Sequence, residues 1–300
     1  MQTVTQPAVA ARPLAVLRAY FALTKPTIIV LLLITTIPAM VLASQGWPDL
    51  RLVLATLIGG FLSAGGAASI NQFADRDIDL VMTRTRHRPI PSGLVPAAHA
   101  AWIGIGLGVL SVVWLAWQVN VLTAALTAAA IAMYAGVYTY GLKRTTVQNI
   151  VIGGAAGAAP PVIGWAAVTG TLEVPALLLF LIVFYWTPPH FWALSLRLEE
   201  DYRAAGVPMG PVVWGVAETK RQIVLYSVLL VAVTIMFGAV AELGWIYFAT
   251  ASAGGLGFIA LALRLRRHDG ITEALPLFFY SMAYLAVLFG SMMADELLLR

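Results

Sequence analysis

Residues 71–88 read NQFADRDIDLVMTRTRHR, and the reading of the whole chain turns on them. Asn71, Asp75 and Asp79 stand at i, i+4 and i+8, followed by Arg84, Arg86 and Arg88. Four helical residues advance about 400°, so the three oxygen side chains drift only about 40° per step and share one face. Carboxylates stacked in this way repel one another, and the residues before them are almost wholly apolar, a setting in which bare charge is costly. A hard divalent cation relieves both problems. Mg²⁺ characteristically takes one or two carboxylates and completes its shell with substrate phosphates. The arginines beyond suit phosphate, which a guanidinium holds with two parallel hydrogen bonds.

The composition around this stretch is that of a membrane protein. Of 300 residues, 60% are hydrophobic and only 11% charged, and the mean hydropathy is +0.87. With no cysteine, the chain has no disulfide, thiolate metal site or cysteine nucleophile. The net charge of +4 does not point to nucleic acid, because the basic residues lie in short segments between apolar runs. Windows of about 20 residues, the length that crosses a bilayer, fall near 28–45, 52–70, 98–117, 120–139, 147–167, 174–195, 223–241, 245–263 and 274–294. The expected fold is therefore all-α, a polytopic bundle of about nine transmembrane helices around a central cavity. Of the 18 Lys+Arg, 16 lie in the N-terminal arm, 71–97, 140–146, 196–222 and 264–272, the exceptions being Arg51 and Arg300. By the positive-inside rule those segments are cytoplasmic, or face the matrix in a mitochondrion. Residues 1–25 contain no acid and read as a basic cytoplasmic arm in preference to a transit peptide, with Arg12, Arg18 and Lys25 as its charges.

The chain reads as one domain, 1–300. Lys25 opens span 1 and Asn71 ends span 2; 118 residues later Lys143 opens span 5 and Pro189 ends span 6. That offset suggests two parallel four-helix repeats, about 26–139 and 144–263, with a ninth helix after them. Small-residue runs at 63–69 and 153–159 permit close helix packing, and Pro160 and Pro161 should break or kink span 5. Asp77 points away from Asp75 and is expected to face water or to pair with Arg76 or Arg84.

Two further clusters carry chemistry. PPHFWALSLRLEEDY, 188–202, brings His190, Glu199, Glu200, Asp201 and Tyr202 to the end of span 6. A lone histidine at a helix end usually makes a structural hydrogen bond, but its place opposite Asn71 in the repeat favours a functional role, and Asp201 and Tyr202 stand out beside it. Tyr134, Tyr138 and Tyr140 lead into Lys143 and Arg144, which are read as lying in a short loop on the basic side, within reach of a diphosphate.

NQFADRDIDLVMTRTRHRPIPSG (71–93), YTYGLKRTTVQNIVIGGAAGAAPPVIGW (138–165) and WTPPHFWALSLRLEEDYRAAGVPMGPV (186–212) together resemble the UbiA-type family of intramembrane prenyltransferases, whose first motif runs NxxxDxxxD. They are closest to the branch of that family that farnesylates heme. The resemblance covers essentially the whole chain. It implies nine transmembrane helices around a cavity open to lipid, with heme b and farnesyl diphosphate as substrates and one or two Mg²⁺ as cofactor. By the same resemblance Asn71, Asp75 and Asp79 hold metal, and Arg84, Arg88, Lys143 and Arg144 hold diphosphate. His190 then ligates heme iron or takes a proton from the incoming water, and Asp201 and Tyr202 complete the site. The family's usual second aspartate pair is absent, with PHFWAL and EEDY in its place. The resemblance further implies a bacterial inner membrane with the polar loops cytoplasmic, and product passed to heme A synthase or a terminal oxidase assembly. Two other readings are open: an aromatic quinone precursor as the acceptor, and a transporter, in which acids would sit mid-span and not, as here, at helix ends.

Overall fold

In the computed structural model, residues 13–299 are described; the basic-arm residues 1–12, including Arg12, and the terminal Arg300 lie outside the described residues. The chain alternates long apolar runs with short polar punctuation, and the helices follow it. In order they are α1 Pro13–Leu23, α2 Pro26–Ser44, α3 Leu50–Ala74, α4 Arg76–Val81, α5 Ala97–Gln118 and α6 Val121–Ile131. The last runs without interruption through a π-helical segment, Ala132–Leu142, into α7 Lys143–Thr145. Then come α8 Asn149–Gly157, α9 Ala159–Thr169, α10 Val174–Arg197, α11 Glu199–Ala204, α12 Gly210–Val213, α13 Gly215–Val240, α14 Trp245–Arg267 and α15 Ala274–Leu299.

Eight helical stretches among the described residues are long and apolar enough to cross a membrane, counting Val121–Thr145 and Asn149–Thr169 each as one. The 19-residue α2 is about 28 Å long at 1.5 Å per residue and takes the place of the first expected span. Local chemistry sets the ends. Asp49 caps α3 by accepting the Arg51 and Leu52 amides at 2.7 and 3.2 Å. Asn120 caps α6 through the Thr123 amide at 2.8 Å while donating to the Ala166 carbonyl of α9 at 2.9 Å. Span 5 breaks at Ala158, where the Pro160–Pro161 pair opens α9 and denies α8 its next amides, the break the sequence foretold. Two boundaries differ from expectation. α13 begins at Gly215, not near 223, and Lys143 and Arg144 are helical instead of lying in a loop.

α3 packs chiefly on α5, α10 on α13, α2 on α9, and α15 on α14, α10 and α2, which closes the bundle. The α3–α5 contact requires glycine: a Cβ on Gly66 would stand 2.7 Å from the Gly104 carbonyl oxygen, and one on Gly104 2.8 Å from that of Gly66. The basic segments meet one another at one end. The Asn149 amide donates to the Pro208 carbonyl at 3.1 Å, and buried Lys220 donates to the carbonyls of His268 and Gly270 at 2.7 and 2.8 Å. At the opposite end the Asp295 carboxylate accepts the Gly244 and Tyr247 amides and so caps α14.

Candidate active site

The helix that carries Asn71 turns slightly at Asp75, where α3 ends and α4 begins, but the backbone ladder is unbroken. The Asp75 amide reaches the Asn71 carbonyl at 2.9 Å, and the Asp79 amide reaches that of Asp75 at 2.8 Å. The three oxygen side chains therefore keep a common face. All are buried: Asn71 is 3% exposed, Asp75 0% and Asp79 1%. The sequence placed them at a polar helix end; the fold has covered that end.

Each of the three has a basic side chain against it. Lys25 Nζ donates to Asn71 Oδ1 at 2.8 Å, Lys143 Nζ to Asp75 Oδ2 at 2.5 Å, and Arg88 Nη1 to both Asp79 oxygens at 2.9 and 2.8 Å. Lys25 and Lys143 are the pair separated by 118 residues in the sequence, and they converge from different segments, Lys25 from the turn before α2 and Lys143 from α7. Lys25 sits at φ +51°, a left-handed conformation unusual for a side-chain-bearing residue, just before α2. Burial, reinforced by repulsion from Arg88 and Lys143, pushes its ammonium down to about 7. Lys143 and Arg88 already balance the two carboxylates, so any charge on Lys25 leaves the cluster short of negative charge, which an anionic ligand would supply.

Below the cluster lies a cavity of about 300 Å³. Its α3 wall is Thr56, Gly60, Ser63, Ala64, Ala67 and Ala68, one helical face of small residues. From Ala67 to Thr56 that wall runs about 16 Å. Ile29, Ile131, Ile150, Pro160 and Ile163 make the rest predominantly apolar, with Lys25 at the polar end. Tyr134 and Tyr138 stack in the lining with ring centroids 5.6 Å apart. Beside the cluster, toward α1, Arg18, Lys25, Gln72, Arg84, His87 and Arg88 line an open basic cleft.

The other expected residues divide. The Asp201 carboxylate accepts the backbone amides of Thr83 and Arg84 at 3.2 and 3.3 Å and ties the two polar loops together. Burial alone would raise its pKa; the two amide hydrogen bonds outweigh this and hold it below the ordinary value. Tyr202 is buried against Ile78, Met82 and Ile150, beneath the first loop. Glu199 pairs with Arg203 on the same short helix. Arg144 does not join the cluster: it forks onto both Asp77 oxygens at 2.7 Å and onto the Ala74 carbonyl at 2.9 Å. Asp77 faces water, as one of the two expectations had it, but its partner is Arg144 and neither Arg76 nor Arg84, and the Arg144 hydrogen bonds hold its carboxyl well below the usual range. α7 continues the span-4 helix, so Arg144 projects sideways to Asp77 while Lys143 reaches in.

His190 is the main departure. Thr187 and Phe191 line the cavity, whereas His190 is turned toward α15. Its ring lies between Trp186 and Phe278, at centroid distances of 4.2 and 4.5 Å, with Nδ1 2.6 Å from Ser281 Oγ. The expectation that it faces Asn71 across the cavity is not met. Residues 187 and 191 share a helical face at i, i+4, and position 190 falls off it. Conversely, sequence reasoning did not name Lys25 or Thr139 as site residues. Lys25 had a usable signal in its 118-residue offset from Lys143. Thr139, whose hydroxyl stands 3.2 Å from Asn71 Nδ2, had none.

The donor set suits a hard cation shared with a phosphate. Asp75 Oδ1 is buried and has no hydrogen-bond partner, which leaves one carboxylate oxygen free at the centre of the cluster. Among the described residues no three His, Cys, Asp or Glu converge on one point. An all-protein cage is therefore absent, and Asn71, Asp75 and Asp79 could hold Mg²⁺ only with substrate oxygens and water completing its shell.

A family model described as the UbiA prenyltransferase family matches residues 32–283. The chain belongs to that family. Over 94% of its length this UbiA-family protein is 52% identical to the protoheme IX farnesyltransferase of Roseiflexus sp. (strain RS-1), and it spans 53% of that protein, about half its length. It is 50% identical over 93% of its length to the protoheme IX farnesyltransferase of Mycolicibacterium vanbaalenii, covering 90% of that chain. A solved structure of a UbiA homolog from Archaeoglobus fulgidus bound to DMAPP and Mg2+ shares the fold, with a TM-score of 0.62 at 18% identity over 91% of this chain and 98% of that one. The all-helical membrane architecture expected from the sequence is thus the architecture of the family.

Proposed function

We propose that this UbiA-family protein is an Mg²⁺-dependent intramembrane prenyltransferase that transfers the farnesyl group of farnesyl diphosphate to a vinyl group of heme b with addition of water. The products are heme O and diphosphate. One observation carries the reading: Asn71, Asp75 and Asp79 are buried, and with Lys25, Lys143 and Arg88 they cap an apolar cavity that runs into the bundle. A polar head and a long greasy tail on one substrate match that division. The names of the two bacterial relatives supply the acceptor, and the archaeal homolog bound to DMAPP and Mg2+ supports the metal.

Bound Mg²⁺ supplies Lewis-acid stabilisation of the departing diphosphate. Asn71, Asp75 and Asp79 would hold it. Lys25, Lys143 and Arg88 would turn from their present partners, and Arg84 from the basic cleft, to the diphosphate oxygens, where positioned cations lower the cost of the charge that develops. The C1–O bond breaks and its electron pair leaves with the diphosphate. A vinyl carbon of heme b bonds to C1, water adds to the cation left beside the porphyrin, and the proton lost from that water completes the balance. The stacked faces of Tyr134 and Tyr138 shelter the allyl cation, and the apolar walls keep water from it until carbon has attacked. Asp201 and Tyr202 act indirectly, by holding the two loops together. The basic segments, and with them the site, face the cytoplasm of a bacterial inner membrane; that placement rests on the uneven distribution of Lys and Arg.

Incubating the purified protein with heme b, farnesyl diphosphate and Mg²⁺ and analysing the heme by mass spectrometry tests the proposal. The hydroxyethylfarnesyl product should form only with all three present. Diphosphate release without any change in the heme would point to another acceptor, and neither event would reject the reading.

A further inference from the structure

We infer that Thr139 is the positioning residue for Asn71, and that the π-helical segment Ala132–Leu142 delivers it there. The inference rests on the reading above, in which Asn71 is a ligand of the cation that carries the diphosphate. Thr139 is fully buried, and its hydroxyl donates to the Tyr134 carbonyl at 2.7 Å. A hydroxyl has one proton, so toward Asn71 Nδ2, 3.2 Å away, it can only accept. The same Nδ2 donates its other proton to Asp75 Oδ2 at 2.7 Å. Both amide protons are therefore engaged on the protein side, and Asn71 Oδ1 must face the other way, where Lys25 Nζ meets it at 2.8 Å.

Flipping the amide would set Oδ1 against the Asp75 carboxylate and the Thr139 lone pair, and NH₂ against the Lys25 ammonium. All three hydrogen bonds would be lost at once. The orientation is thus built into the fold, with the single oxygen presented to whichever cation stands at the centre. Asp75 is similarly constrained: Oδ2 is spent on Asn71 and Lys143, which leaves the unpartnered Oδ1.

The helix geometry explains how a residue 68 positions away arrives in register. A threonine in an α-helix bonds back to the carbonyl three or four residues earlier. Thr139 bonds back five, to Tyr134, as the i→i+5 pattern of the π segment allows. In α-helical register each residue turns about 100°, so rewinding the segment to that register would swing Thr139 off Asn71 and Lys143 off Asp75 together. π-helical turns are frequent at functional sites, and this segment carries Thr139 and leads directly into Lys143.

The test compares wild type, Thr139→Val and Thr139→Ser in nanodiscs. Binding of farnesyl thiodiphosphate, which resists cleavage, is measured calorimetrically with Mg²⁺ and with EDTA, alongside the Mg²⁺ dependence of turnover. Losing one hydrogen bond should weaken Mg²⁺-dependent binding by about three- to tenfold in the valine variant. Binding in EDTA and the KM for heme b should stay at the wild-type level, and serine should restore Mg²⁺-dependent binding to within about twofold of wild type. Equal weakening with and without Mg²⁺, a valine variant as good as wild type, or a serine variant as poor as valine would each overturn the inference. Should the valine variant fail to fold, the serine variant still decides: with the hydroxyl kept, any loss beyond about twofold counts against it. Absence of Mg²⁺-dependent binding in the wild type would instead reject the functional reading on which this one stands.

Discussion

Replacing Asp75 by asparagine separates the structural work of its carboxylate from its chemical work. The side chain is fully buried, its Oδ2 takes hydrogen bonds from Asn71 and Lys143, and its Oδ1 has no partner. Asp75→Asn keeps the shape but leaves the Lys143 ammonium, 12% exposed, without its counter-charge. Breaking a buried ion pair from one side costs about 3–5 kcal/mol; the partial exposure of Lys143 puts the expectation at the lower end, about 3 kcal/mol. Activity should fall further, by at least about 10³, because several kcal/mol of assistance to the leaving diphosphate is lost with the ligand. A second variant, Asp75→Asn with Lys143→Met, removes both charges, and an apolar replacement of a buried pair is often neutral in stability. The double variant should therefore recover most of the thermal stability and none of the turnover. The assays are thermal melts in detergent and mass spectrometry of the heme product. If turnover returned together with stability, or if the single variant stayed within tenfold of wild type, Asp75 would be a structural partner of Lys143 and not a ligand.

Ala64→Phe should block the cavity about 10 Å below Asn71, so that geranyl diphosphate is used in preference to farnesyl diphosphate in a competition assay; unchanged preference would place the tail elsewhere. The Asp201 clamp should follow its depressed pKa: its contribution is complete above the ordinary carboxylate value near 3.9 and is lost as pH falls through the folded-state value. The difference in melting temperature between wild type and Asp201→Asn should accordingly shrink below about pH 4, and a difference that grew on acidification would contradict the clamp. His190→Ala should destabilise the α10–α15 contact by roughly 2 kcal/mol, as loss of a half-buried stacked ring does, while Mg²⁺-dependent farnesyl diphosphate binding stays near normal; loss of that binding without loss of stability would return His190 to the site. With no native cysteine to interfere, single cysteines at Ser92 and Thr171 should label from opposite sides of the membrane; labelling from the same side would overturn the topology.

The class of fold was legible because a bilayer leaves little choice: runs of about 20 apolar residues must be helices, and 16 of 18 basic residues fell on alternate connections. The acidic face of the site was legible for a similarly local reason, since i, i+4, i+8 spacing is a property of one helix, and it survived even the turn at Asp75. What the sequence could not disclose was direction and depth. His190 belongs to a segment apolar on every side, so nothing in its neighbours told whether it faced the cavity or α15; the packing of Trp186, Phe278 and Ser281 decided that. Arg144 and Lys143 are adjacent in sequence, and only the helical geometry of that span sent one to Asp77 and the other to Asp75. Thr139 was invisible because its value to Asn71 depends on the π-helical course of Ala132–Leu142, which no spacing in the sequence marks. Local spacing fixes which residues share a face, and tertiary packing alone determines what that face meets.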